Sequence, residues 1–470
     1  MKVCFIFTPE QMVNKCFYTD SIWKNYSKNA AVLPSLGLAY LAALLRDKGY
    51  DVSLIDANVL KLTKNQILAR LNEIKPEYLL YNAITDNLHG TISWIEEIRK
   101  EYDKPVIIGG PHMEIYPKET LTHECLDYGV VGDGWETLPE LLDGLEHKKD
   151  LTKIKGLVFR KDGEVVFTGE RPKTVSLEDV PFPARDLLPN EKYDMVASKS
   201  KPLTIMITAL GCPFRCTYCC TDTKLRSRSA EHIVAEVEEC INKYGIKEIE
   251  FYDETFTVNK KTMKRFLDLV EEKGLKFNFS IRTRVDCVDK DLLKRMAKNG
   301  CIRVNFGIES GDEDVLRATN RDMSIATIKQ SVKWAKDAGM MTFGFFMIGL
   351  PQDTKESIEK TLKLMLELDL DFMQLNKFTI LPNSEMYEEY KKETGEDFWR
   401  EYTLGNVTLD DFKRTYLQVT EEELDRYLEK GYKGFYYRPG LILKKFLEIR
   451  SFSEFKILVS GAFAILGSRD

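Results

Sequence analysis

The sequence predicts an α/β protein in three parts. A doubly wound, Rossmann-like parallel sheet covers residues 1–150, a partial (β/α)6 barrel of TIM type covers 201–396, and a helical extension covers 397–470, with a hairpin and proline-rich connection at 151–200. Two observations predict this class. Apolar runs of strand length alternate with helically spaced apolar residues through both main parts. At 470 residues the chain is also too long for one core of ordinary size.

In the first part, Met1–Phe7 reads as a buried strand. Leu36–Arg46 has helical spacing stopped by Gly49 and leads into the strand Val52–Asp56. Tyr78–Tyr81 and Val106–Ile108 supply two more strands, with a helix over Trp94–Tyr102 between them. Gly109 and Gly110 then fall just beyond the end of the strand Val106–Ile108, where an open parallel sheet binds its ligands. Next, Asp162-Gly163 between Gly156–Arg160 and Glu164–Phe167 signals a hairpin. Three prolines between Val180 and Pro189 suit an ordered connection.

The strand Pro202–Ala209 opens the second part and runs into a cysteine-rich loop. Helices are expected at 230–243, 260–273, 289–298, 324–338 and 354–368. Strands are expected at 247–252, 276–282, 302–307, 341–348 and 372–379. Six strands with intervening helices make a partial barrel whose functional loops share one rim.

Cys212, Cys216 and Cys219 place three soft thiolates within eight residues, and the nearest downstream histidine, His232, has no partner spaced to complete a four-ligand zinc site. Three thiolates suit a [4Fe–4S] cubane with one iron left open. Cys220 directly follows and is an alternative ligand. The spacing Cys-x3-Cys-x2-Cys, with Tyr218 just before the last cysteine, resembles the signature of the radical S-adenosylmethionine superfamily. The preceding order Pro34-Ser35-Leu36-Gly37-Leu38, Asn82–Thr85, Gly109–His112 and Val130–Leu138 is similar to the cobalamin-binding domain attached to one branch of that superfamily.

The resemblance implies three cofactors: a [4Fe–4S] cluster on Cys212, Cys216 and Cys219, S-adenosylmethionine, and cobalamin. It places Asp253 and Glu254 at the methionyl ammonium, Arg282 at the carboxylate, Glu309 at the ribose and Gly349 near the adenine. For cobalamin it implicates Thr85, Gly109, Gly110, Gly132 and Asp133. The loop Thr8–Asn14 has no histidine to serve cobalt, so the corrinoid is expected without a protein imidazole; His112 is the one alternative ligand. The implied chemistry is C-methylation of an unactivated carbon in a small-molecule or lipid-like substrate, through a 5′-deoxyadenosyl radical and methylcobalamin. An external donor such as flavodoxin or ferredoxin would supply the electron. Alternatives are radical cyclisation or ring rearrangement, for which Tyr437-Arg438-Pro439 is similar to anaerobic tetrapyrrole cyclases, methylthiolation, and a non-catalytic metal-stabilised module.

Composition narrows these classes. A formal net charge of −6 gives no overall attraction to nucleic acid, so none is expected as a partner. Ten cysteines at irregular intervals, three of them clustered, indicate a reducing compartment, and no apolar stretch is long enough to span a bilayer, so a cytoplasmic protein is expected. The apolar tail Ile457–Gly467, with Lys444, Lys445 and Arg450 nearby, is read as a helix over the barrel mouth, or alternatively as a peripheral membrane contact.

Overall fold

A computed structural model describes residues 1–9, 32–195 and 197–448, with side chains to residue 443. Expectations on residues 10–14, on Arg450 and on the tail Ile457–Gly467 lie outside the described residues. The chain forms two compact units. The first takes its described residues from the N-terminal strand, Val32–Asp194 and Glu396–Asp411, and the second from Met195–Gly395 and from Phe412 onward.

The first unit is built on a seven-stranded sheet of β1 (Lys2–Phe7), β2 (Asp51–Asp56), β3 (Tyr78–Asn82), β4 (Val106–Gly109), β5 (Tyr128–Val130), β6 (Leu157–Lys161) and β7 (Glu164–Phe167), in the order β2-β1-β3-β4-β5-β6-β7. The first five strands are parallel. Helices α1 (Leu36–Asp47), α2 (Lys64–Ile74), α3 (Leu88–Arg99), α4 (Pro117–Thr120) and α5 (Thr137–Glu146) accompany them. Side chains alternate across the strands, so Cys4, Ile6, Leu79 and Ile108 pack with Ile67, Leu71, Ile92 and Ile95. On the opposite face Val3, Phe5, Leu80 and Ile107 pack with Leu38, Ala42, Leu138 and Leu141. Sheets buried on both faces need such apolar runs. The hairpin at 157–167, read as part of the connection, instead extends this sheet as two antiparallel strands.

The second unit carries β8 (Leu203–Met206), the short pair β9 (Ala209–Leu210) and β10 (Arg226–Ser227), then β11 (Glu248–Phe251), β12 (Asn278–Arg284), β13 (Cys301–Glu309), β14 (Met341–Ile348) and β15 (Phe372–Lys377). Six of these form one curled parallel sheet in the order β15-β14-β13-β12-β11-β8, a half-barrel. Helices α6 (Ala230–Tyr244), α7 (Lys260–Glu272), α8 (Lys290–Lys298), α9 (Glu313–Ala318), α10 (Ile325–Asp337) and α11 (Lys355–Glu367) follow their strands. Ile249, Phe251, Phe279, Ile281, Val304 and Phe306 face these helices in one apolar core. Their alternating neighbours Glu250, Ser280, Arg303 and Asn305 lie on the other face and are also buried.

After the barrel come α12 (Glu385–Thr394), α13 (Phe398–Leu404), α14 (Glu421–Tyr436) and α15 (Pro439–Glu448). The stretch 397–470, read as one helical extension, is divided: α13 clusters with the first unit and α14 with the second. The physical reason is local. An unpaired strand edge exposes backbone donors and acceptors, and β15 is such an edge. The Tyr432 hydroxyl accepts from the Leu375 N–H at 3.3 Å. The Tyr436 hydroxyl accepts from the Met373 N–H at 3.2 Å and donates to the Met373 carbonyl at 2.7 Å. Gly431 lets α14 approach, since a Cβ there would stand 2.6 Å from a Leu375 methyl and 3.0 Å from a Leu362 methyl. Gly431→Ala is therefore expected to destabilise the protein by about 1–3 kcal/mol through overpacking. Chemical denaturation followed by circular dichroism measures this, and an unchanged midpoint would refute the assigned packing.

Candidate active site

The half-barrel gathers its candidate residues at the carboxyl ends of its strands. β8 ends at Met206 and passes through Thr208 into the β9–β10 hairpin, whose loop holds the cysteines. The Cys212 N–H donates to the Asp222 carbonyl at 2.9 Å, and the Cys219 N–H to the Cys216 carbonyl at 2.9 Å. Gly211 is needed for this closure. Its φ is +83°, and a Cβ would lie 2.4 Å from the Lys224 carbonyl oxygen. Asn320 donates to the Arg215 carbonyl at 2.7 Å, tying the loop to the segment after α9.

Cys212 and Cys216 are half-buried, whereas Cys219 and Cys220 are exposed. A single tetrahedral ion draws its thiolates to about 2.3 Å from one point. Among the described residues no three His, Cys, Asp or Glu side chains converge in that way. A cubane takes each thiolate on a different iron, so its three cysteines need not meet at one point.

Arg284 and Arg321 both approach Cys216. Arg284 Nη1 lies 3.7 Å from Cys216 Sγ, and Arg321 Nη1 lies 3.8 Å from it. Arg284 also forms a bidentate pair with Asp286 at 2.9 and 2.7 Å, and its guanidinium stacks 3.8 Å from the centre of the Phe214 ring. Arg321 donates to the Tyr218 hydroxyl at 3.2 Å and stands 3.7 Å from Glu309 Oε1. The sequence offered no signal for Arg321, which sits in an irregular segment with no motif of its own.

The residues expected around S-adenosylmethionine separate into two groups. Glu254, Arg282 and Glu309 are open to a ligand. Glu254 touches solvent, yet surrounding protein raises its pKa, with Arg282 pulling the other way. Arg282 stacks its guanidinium 3.6 Å from the centre of the Tyr252 ring and approaches Glu250 at 3.5 Å, while its Nε has no hydrogen-bond partner. Glu309 ends β13 in the left-handed region at φ +69°, next to a break in register with β14. A non-glycine residue there is strained, and such strain concentrates at functional positions. Burial raises the Glu309 pKa, while Arg321 and Arg284 lower it.

The other two are already engaged. Asp253, expected at the ammonium, turns inward. Its carboxylate accepts from the Thr208 N–H at 2.6 Å and from the Thr208 hydroxyl, and burial pushes its pKa up to about 6. Its observed work is to fix the end of β8 beside the cysteine loop. Gly349, expected to admit adenine, has φ +88° and a Leu424 methyl 2.9 Å from where its Cβ would be. Its N–H donates to Asp353 at 2.9 Å. The close neighbour that requires glycine there is the side chain of α14.

In the first unit the strand order 2-1-3-4-5 places a switch point between β1 and β3, where doubly wound sheets bind ligands. Asn82 ends β3 at that point, and its buried Oδ1 has no hydrogen-bond partner. Next to it, Gly110 has φ +101°, and a Cβ would strike the Ala83 carbonyl oxygen at 2.6 Å. Gly109 ends β4 opposite Asn82. Gly132, at φ +88°, has open space above it, and a shallow cavity lined by Gly132, Asp133, Trp135, Arg171 and Lys173 opens there. The edge thus combines a glycine cradle with an unsatisfied buried acceptor, which fits a large polar cofactor with amide donors.

Both ring nitrogens of His112 face hydroxyl groups. Its Nδ1 meets the Thr85 hydroxyl at 3.1 Å and its Nε2 meets the Thr403 hydroxyl at 3.4 Å. Thr85 is accordingly engaged with His112. His89 and His123 bond the carbonyls of Tyr402 and Thr403 at 2.5 and 2.8 Å, so three histidines hold the C-terminal turn of α13. Burial depresses the His112 pKa to about 3.

Comparison with known proteins bears on both units. Residues 206–365 match the radical SAM superfamily, and residues 27–142 match the B12 binding domain. Over 432 residues the chain is 32% identical to the uncharacterized methyltransferase PH0819 of Pyrococcus horikoshii, covering 89% of this chain and 91% of the relative. The chain belongs to the B12-binding radical SAM family. It is also 26% identical to the anaerobic magnesium-protoporphyrin IX monomethyl ester cyclase of Cereibacter sphaeroides over 89% of this chain and 70% of that protein. In fold it is similar to the radical S-adenosylmethionine methyltransferase TsrM of Kitasatospora setae, with TM-score 0.72, 15% identity and 99% of each chain covered. A radical SAM domain implies a [4Fe–4S] cluster and S-adenosylmethionine, and the B12 domain implies cobalamin.

The buried neutral histidine carries a pH dependence. Because its folded pKa lies below the unfolded value near 6.5, only the unfolded chain takes up this proton between about pH 6.5 and 3. The stability His112 contributes is full above pH 6.5 and is lost as pH falls toward 3, by up to about 4 kcal/mol. His112→Gln is expected to be less acid-sensitive than the parent over that window in urea titrations. Equal slopes for the two proteins would show that His112 is not held neutral.

Proposed function

We propose that this protein is a cobalamin-dependent radical SAM methyltransferase acting on an unactivated carbon of a small-molecule or lipid-like substrate. The observation that carries this reading is a three-cysteine loop at the end of β8 that shares one rim with Arg282 and Glu309, whose polar atoms are still open to a ligand. The relative named as a methyltransferase, aligned along nearly the whole chain, supports methyl transfer.

When bound, the cofactors supply one-electron cleavage of a sulfonium and a transferable methyl group. The chain's own residues bind and orient. Cys212, Cys216 and Cys219 would hold the cluster. Arg282, steadied on the Tyr252 ring, would take the methionyl carboxylate through charge-assisted hydrogen bonds, and Glu254 the ammonium. Glu309 would take ribose hydroxyls, with Arg321 at 3.7 Å opposing the rise that burial gives its pKa. Asp253 acts one step back, by fixing Thr208. In the first unit Asn82, Gly109, Gly110, Gly132 and Asp133 would line the cobalamin edge, with Thr85 contributing through its bond to His112 and no imidazole offered to cobalt. An external one-electron protein donor, of flavodoxin or ferredoxin type, completes the requirement.

Ring closure with the same cofactors is the second reading, supported by the similarity to the cyclase. Mass spectrometry separates the two, since methylation adds a CH2 unit whereas oxidative cyclisation removes hydrogen.

Anaerobic purification and reconstitution should yield iron, sulfide and corrinoid absorption, with reductant-dependent formation of 5′-deoxyadenosine. The combined change of Cys212, Cys216 and Cys219 to alanine should abolish that product, and its persistence would remove the cluster assignment. Glu309→Gln should weaken S-adenosylmethionine binding by roughly ten- to a hundred-fold, as loss of a hydrogen bond to a charged group costs about 1.5–3 kcal/mol. Calorimetric titration reads this directly.

A further inference from the structure

We infer that Arg321, assisted by Arg284, tunes the reduction potential of the cluster that Cys216 would hold; this rests on the radical SAM reading above. Arg321 is only 5% exposed, and its nitrogens reach four distinct groups. Nη1 approaches Cys216 Sγ at 3.8 Å and donates to the Tyr218 hydroxyl at 3.2 Å. Nη2 donates to the Gly307 carbonyl and faces Glu309 at 3.7 Å. Its Nε is buried with no hydrogen-bond partner, an unusual state for a guanidinium N–H and one that a ligand on the same rim would relieve. Arg284 comes to the same sulfur at 3.7 Å from the end of β12.

The consequence follows from charge. Reduction adds an electron to an anionic centre, and hydrogen bonds to its sulfurs together with nearby positive charge stabilise the added electron. Arg284 is largely neutralised by its bidentate pair with Asp286, whereas Arg321 has only a long contact with Glu309. Arg321 therefore carries most of the effect. It also joins the sulfur to the acid expected at the ribose, so it links cluster electronics to occupancy of the nucleoside pocket. Gly307 makes room for this link, because a Cβ there would lie 2.9 Å from Arg321 Nη2 and 2.6 Å from Glu309 Oε1.

The test is an anaerobic redox titration of the reconstituted full-length protein, read by electron paramagnetic resonance of the reduced cluster, with and without S-adenosylmethionine. Arg321→Gln is expected to lower the reduced-to-oxidised ratio at least tenfold at fixed poise, a shift of 59 mV for a one-electron couple. Arg321→Lys, which keeps the charge, should recover most of it. Arg284→Gln should shift the ratio by less and serves as the second reading if Arg321→Gln does not fold. Iron and sulfide content is measured for each protein, so potentials are compared only at equal loading. Failure of the parent protein to take up any cluster would refute the radical SAM reading itself. A loaded cluster with the same potential in the parent, Arg321→Gln and Arg284→Gln would overturn the tuning role while leaving that reading intact.

Discussion

A half-barrel leaves a concave wall that barrel side chains do not fill in layers, and the pair between Glu250 and Arg303 makes that wall tenable. Both are almost fully buried and meet at 2.5 Å. Desolvating two charges costs several kcal/mol per ion, repaid only if the remaining polar atoms are satisfied. Here Asn305 donates to Glu250 at 3.0 Å and Ser280 donates to it as well, while Arg303 donates to Asn305 at 3.1 Å and to the Ala197 carbonyl. The network joins β11, β12 and β13 across three neighbouring strands. Arg282 lies just beyond it on the same face, tethered to Glu250 only by a long contact and so left available to a ligand.

Both units use the same geometric rule with different materials. Parallel strands deliver their carboxyl ends to one edge, where loops are free of the ladder and close backbone approach is possible. In the first unit the edge is made of glycines and an unsatisfied amide oxygen, suited to a large polar ligand with amide donors. In the second it is made of thiols, guanidinium groups and carboxylates, suited to a charged ligand and an electron acceptor. Glycine has a different role at each position: Gly110 clears the Ala83 carbonyl, Gly211 closes the cysteine loop, and Gly349 and Gly431 admit the neighbouring chain.

Much of the fold was legible because periodicity reports burial. The strand read at 341–348 matches β14 residue for residue, and the helices read over 230–368 fall within a residue or two of α6, α7, α8, α10 and α11. The misses have physical causes. β5 is only three residues long, too short to show a period, and the helix read from Trp94 begins at Leu88. That the cysteine loop, Glu309 and Arg282 fall at or near the carboxyl ends of the half-barrel strands was legible from residue type and place. The turned-in carboxylate of Asp253 was not, because an acid after a strand looks the same whether it faces a ligand or a backbone N–H.

The sequence by itself determined the alternation of strands and helices, the three thiols on one loop and the glycines at strand ends, since each depends on neighbours within a few residues. Tertiary structure decided which acids are engaged and which are open, that α13 and α14 go to different units, and that Arg321 meets Cys216 across 105 residues of chain. Those outcomes depend on which distant group satisfies a buried charge or hydrogen bond, and no local pattern encodes that choice.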